Sequence, residues 1–287
     1  MFVGETIKEI RINKNIRSNV LYKNILSRPA ISNFEKGLSD TTVEKFFILL
    51  DRLHITLEEF EVIHRKKEDT DFFYTLRYID FFYKRDIESL KKLSIKAKSD
   101  YEVTNNEKFN HYNALITLLV DYLKEKNNSK EALDTIKGYL DDCDNWGYYE
   151  ITLFTNSLIF FPNSYIDIMY AKVKNKLAEY QRFSRYRNEA AILLFNILEK
   201  KIIDKSTFNI NFYLSELQSI QSHTLDNMYI QTMIKFFLII NTVILEKKTY
   251  SEEVYTIVNF LEFVELNSKA KQCIKFYKRV LEIYLIT

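Results

Sequence analysis

Apolar residues recur at three- and four-residue spacings along nearly the whole chain, a periodicity that predicts helices rather than strands. At the amino end the helices are short. Gly4 to Asn13 sets Ile7 and Ile10 on one face, and Ser18 to Asn24 forms a second helix with Ser18 as its cap and Val20 and Leu21 inward. Ser27 caps a third, with Pro29 in its first turn, Ile31 and Phe34 facing the core, and Gly37 at its end. Thr41 or Thr42 opens a fourth helix carrying Val43, Phe46, Phe47, Leu49, Leu50 and Leu53, and Ile55 to Phe60 makes a fifth. Beyond these the helices lengthen to about fifteen to twenty residues. Their expected starts fall near Asp69, Asn105, Ser129, Trp146, Ser164, Arg185, Ser206, Leu225, Tyr250 and Asn267.

Taken in pairs, those starts repeat roughly every forty residues, the period of an α-solenoid whose helical hairpins each cover the next. Self-similarity is low: Leu153-Phe154-Thr155-Asn156 and Leu194-Phe195-Asn196 echo each other, but no tetratricopeptide consensus is visible, so the repeats are degenerate. The most polar stretch near the boundary, His64 to Thr70, is the expected joint. The expected organisation is a five-helix domain over 1–64, a linker over 65–70, and a TPR-like domain of helical repeats over 71–287. Met228 to Leu245 is apolar all round and is expected inside the stack. The helices from Tyr250 onward end the stack and invite a homodimer.

Composition narrows the function. Only four glycines and two prolines punctuate 287 residues, too few for the turns of a β-rich protein, so the class is all-α. A net charge of +2 does not by itself announce a polyanion partner. The first 36 residues, however, carry Lys8, Arg11, Lys14, Arg17, Lys23, Arg28 and Lys36 against Glu5, Glu9 and Glu35. Cys143 and Cys273 have neither CxxC spacing nor a nearby histidine, which predicts buried free thiols and no metal site. The four histidines share no motif, and no phosphate loop or nucleophile pattern occurs, so no catalytic residue and no cofactor is expected. With no run of eighteen apolar residues and no leader-like amino end, the expected location is the cytoplasm, away from any membrane.

The segments "LSRPAISNFEKG" and "TTVEKFFILLDRLHITLEEF" fix a cap and several apolar positions in order, and they resemble the helix-turn-helix domain of the phage-repressor class. The resemblance implies that the third helix enters the major groove of double-stranded DNA while the second crosses the backbone. Arg28 and Ser32 are then the base readers, and Arg17, Ser18, Ser27 and Lys36 the phosphate partners. Many relatives begin the second helix with glutamine, where this chain has Arg17 and Ser18, so base specificity does not carry over.

Further on, "DNWGYYEITLFTNSLIFF" and "YQRFSRYRNEAAILLFNILEK" together with that domain resemble the Rgg family of Gram-positive regulators, within its peptide-sensing group. The resemblance spans essentially the whole chain. It implies a homodimer on a palindromic promoter site, and a short hydrophobic signalling peptide held by Asn156, Tyr180, Tyr186 and Asn196. An asparagine carboxamide suits this task because it offers an acceptor and two donors to a peptide backbone, whatever that peptide's sequence. Arg182, Arg185 and Arg187 are further candidates, for a peptide carboxylate. The competing reading keeps the DNA-binding domain but drops the peptide, leaving the repeats to dimerise or to recruit RNA polymerase.

Overall fold

The computed structural model describes residues 2–65, 70–206 and 209–285, and these residues are helical without strands. They fall into two compact units, Met1–Arg77 and Tyr78–Thr287. The division lies within the helix Thr70–Tyr83; the expected linker falls largely on residues 66–69, outside the described residues.

Five helices build the first unit: α1 (Val3–Asn13), α2 (Ser18–Leu21), α3 (Arg28–Glu35), α4 (Val43–Arg52) and α5 (Leu57–Arg65). Their core joins Ile7 and Ile10 of α1, Leu21, Tyr22, Phe34 of α3, and Leu49, Leu50, Leu53 and Phe60. Thr42 caps α4 by accepting from the Lys45 amide, and Thr56 and Glu59 cap α5 reciprocally. Three expectations need correction. The cap of α2 is Arg17, with Ser18 already inside the helix, and α2 stops at Leu21 because Asn24 takes a left-handed turn. Val20 points outward, 60% exposed. Ser27 does stand at the cap of α3, but its hydroxyl makes no capping hydrogen bond.

The helix spanning the division is α6 (Thr70–Tyr83). The second unit continues with α7 (Ile87–Thr104), α8 (Glu107–Leu123), α9 (Lys130–Asp142), α10 (Tyr148–Ser157), α11 (Asn163–Glu179), α12 (Ser184–Ile203), α13 (Ile210–Ser219), α14 (Met228–Glu246), α15 (Ser251–Phe263) and α16 (Asn267–Tyr284). From α7 to α10 and again from α11 to α16, each helix packs on its successor, and α12 also reaches α10, α14 and α16. The Tyr284 hydroxyl donates to the Ile202 carbonyl at 2.9 Å, fastening the last helix to α12.

Sequence reading missed α7. Its joint with α6 has no glycine or proline; Arg85 itself adopts the left-handed conformation, and Asp86 then accepts from the Ser89 amide. Asn105, Glu125, Lys205 and Lys247 turn the chain in the same way. Two smaller corrections follow. Cys273 is buried as expected, but Cys143 is only partly so. The long apolar helix α14 buries one side, including Phe236, Phe237 and Ile240, while Met228 and Leu245 stay exposed.

Candidate functional site

In the first unit, the third helix is held by its neighbours rather than by its own caps. Arg11 of α1 meets Glu35 of α3 through two hydrogen bonds, Nε to Oε1 at 2.7 Å and Nη2 to Oε2 at 3.0 Å. The Tyr22 hydroxyl donates to the same carboxylate at 2.8 Å. These groups are largely buried, and the bond to Glu35 raises the Arg11 pKa. Burial, then the Glu35 bond, raises that of Tyr22. From α4, Arg52 donates to the carbonyls of Leu21 and Lys23 at 2.8 and 2.7 Å, closing the end of α2.

Arg11 is therefore neutralised within the frame and leaves the basic surface counted from sequence; Lys8, Lys14, Arg17, Lys23, Arg28 and Lys36 remain exposed. Arg28, Ser32 and Lys36 follow at four-residue intervals and share the outer face of α3, opposite Phe34. Ser27 is exposed at the start of that helix, and Arg17 and Ser18 open α2.

In the second unit the four peptide candidates occupy two places. Asn156 of α10 and Asn196 of α12 both line a cavity of about 460 Å³. Asn196 donates across to the Thr155 carbonyl at 3.1 Å, which seats the two side chains on adjoining helices. Asn156 donates to its own helix, to Thr152 at 2.8 Å. Each carboxamide thereby uses one donor, and neither oxygen accepts from a described residue. Glu189, buried in α12 beside Thr155, has its carboxyl pushed up to about 7 by desolvation.

Tyr180 and Tyr186 do not line that cavity. They stack on each other at the α11–α12 joint, centroids 4.7 Å apart, and Tyr148 meets Tyr186 edge-on at 5.5 Å. Arg185 lies over the Tyr148 and Tyr186 rings, and Arg182 over Phe183. Arg187 is spent on the joint itself, donating to the Gln181 and Arg182 carbonyls and to Ser184. The two places are ends of the same pair of helices. Tyr148 precedes Asn156 on α10 by eight residues and Tyr186 precedes Asn196 on α12 by ten, about 12 and 15 Å at the helical rise.

Sequence reasoning missed most of the cavity wall. Tyr78, Phe82 and Tyr83 come from α6, Tyr122 from α8 and Lys269 from α16, with Glu199, Lys200 and Asp204 at the end of α12. The aromatic run around Phe81 and Phe82 was the one available signal.

Residues 90–275 match the model of the HTH-type transcriptional regulator Rgg, C-terminal domain. The chain belongs to the Rgg family. Its fold is shared with solved structures at low identity. A candidate transcriptional regulator from Listeria monocytogenes EGD-e is 20% identical, with a TM-score of 0.82 over 98% of this chain and 97% of the other. The Streptococcus dysgalactiae SHP pheromone receptor Rgg2 is 19% identical, with a TM-score of 0.75 over 97% and 99%. PrgX in its complex with cCF10 is 16% identical, with a TM-score of 0.70 over 98% and 92%. The fold of this Rgg-family chain is thus the all-α, TPR-like architecture of those regulators, with a five-helix unit at its amino end.

Proposed function

We propose that this Rgg-family regulator binds double-stranded DNA through α2 and α3 and responds to a short hydrophobic peptide laid along α10 and α12. The observation that carries the reading is the pair Asn156 and Asn196, seated together in an aromatic-walled cavity with donors and acceptors still to be used. An extended peptide has backbone amides at about 3.3 Å per residue, so the 12–15 Å from the tyrosine cluster to the asparagines suits about four residues. Tyr180 and Tyr186 then cover apolar side chains at one end while the carboxamides clamp the backbone at the other. That solved structures of the same fold include peptide pheromone receptors supports a peptide as the kind of ligand.

On DNA, Arg28 and Ser32 reach base edges from the exposed face of α3, and Arg17, Ser18, Ser27 and Lys36 hold phosphates. A homodimer sets two such faces on a palindromic site, in the cytoplasm. Peptide binding shifts the regulator between states only by its difference in affinity for them.

The test is a calorimetric titration with synthetic hydrophobic octapeptides, alongside binding to a duplex selected by the purified native protein from random-sequence DNA. Replacing both Asn156 and Asn196 by Ala should weaken peptide binding by about tenfold or more and leave peptide-free DNA affinity unchanged. Arg28→Ala should do the reverse, costing about 1–3 kcal/mol on DNA alone. A folded, DNA-binding protein that takes up no peptide would instead be a ligand-independent regulator.

A further inference from the structure

Four charged side chains line the cavity, and two of them pair with each other. Lys200 pairs with Asp204 at 3.1 Å, and Asp204 also accepts from the Asn163 amide at 2.9 Å. Lys269 acts through space on Tyr229 and on Glu199, whose charges raise its pKa against the effect of burial. Glu199 is different. It follows Asn196 by three residues on α12, so it stands beside the carboxamide on the same helical face. Among the described residues it has no hydrogen-bond or ion-pair partner; the charge of Lys269 acts on it only through space.

Its side chain is exposed and lines the cavity, and the neighbouring residues hold its carboxyl above the ordinary range by partial desolvation. A carboxylate on the cavity wall, with no hydrogen-bond or ion-pair partner among the described residues, gains from a cation delivered with the ligand. The neighbouring rings of Tyr78, Phe82 and Tyr122 favour the same sign, because aromatic faces attract cations.

We propose that Glu199 receives a cationic nitrogen of the bound peptide, its free α-ammonium or a basic side chain, so that the ligand is a hydrophobic peptide with one positive charge beside the asparagine clamp. This rests on the peptide-sensing reading above and narrows its ligand class.

The experiment titrates the full native chain, Glu199→Gln and Glu199→Lys calorimetrically with four sets of C-terminally amidated octapeptides built from the same apolar residues. One set has a free amino terminus and an internal norleucine. The other three are acetylated and carry lysine, norleucine or glutamate at that position. For the native chain, at least one cationic set should bind about tenfold more tightly than the acetylated norleucine set, and which one it is tells the α-ammonium from the side chain. That preference should vanish in Glu199→Gln and turn toward the glutamate peptides in Glu199→Lys. Equal affinities for cationic and neutral sets in the native chain, or an undiminished preference in Glu199→Gln, would overturn this inference while leaving peptide sensing intact. Failure of every set to bind the folded native chain would overturn both.

Discussion

Replacing Asp167 by Asn should destabilise the second unit by about 3–5 kcal/mol, a larger loss than any single apolar truncation at its surface. Asp167 of α11 lies 2.9 Å from the ammonium of Lys201 on α12, and the Lys201 side chain is only 1% exposed. The same carboxylate oxygen accepts from Tyr213 of α13 at 2.5 Å, so one acidic group joins three helices. Asparagine retains an acceptor for Tyr213 but strands a positive charge in the interior, where removing one partner costs more than the pair contributes. Lys201→Met takes away the charge and keeps the volume; Asp167, itself a third exposed, can then turn to water. That variant should lose far less. In thermal melts of a unit this size, the asparagine variant should fall by about 6–20 °C. Equal losses for the two variants would assign the site to packing rather than charge.

The second large effect is expected at Gly4. A β-carbon there would overlap the carbonyl carbon and oxygen of Phe34, both backbone atoms, so α1 and α3 cannot keep their spacing. Gly4→Ala should cost the first unit about 3 kcal/mol or more, at the upper end of overpacking, and abolish DNA binding by displacing α3. Two other glycines serve as controls. Gly37→Ala meets only the movable ring of Phe2 besides its left-handed φ of +69°, so its loss should be smaller. Gly138, on the exposed side of α9, has open space around it, and its alanine variant should gain about 1 kcal/mol. Melting curves with DNA affinities for the three variants check the order. Unimpaired DNA binding by Gly4→Ala would show that α3 is not held by that close approach.

These sites show what the sequence made legible. The order of short helices in the first unit was readable because Pro29, Gly37 and Thr42 mark ends with residue types tied to backbone geometry. Where the chain turned on Arg85, no such mark existed, and α7 was lost inside its predecessor. Ser18 and Val20 misled for a related reason: a four-residue helix has too little periodicity to fix which face is inward. Asn156 and Asn196 were found through family resemblance, and the structure seats them together. Glu199 and Lys269 could not be found that way, since helices separated by seventy residues of chain meet only in the folded stack, and nothing local marks a glutamate that lines a cavity.

The helix α14 gives the chain a hazard that belongs to synthesis rather than to the finished fold. By length and composition Met228–Glu246 could cross a membrane, and half of that window is buried in the stack. Two of the helices packed on it, α15 and α16, follow it in the chain. At about 5–20 residues per second, the roughly forty residues needed to complete them take about 2–8 s to emerge. For that interval the nascent protein presents a segment fit for lipid or for a chaperone, and the carboxyl-terminal hairpin works as its late-arriving sheath.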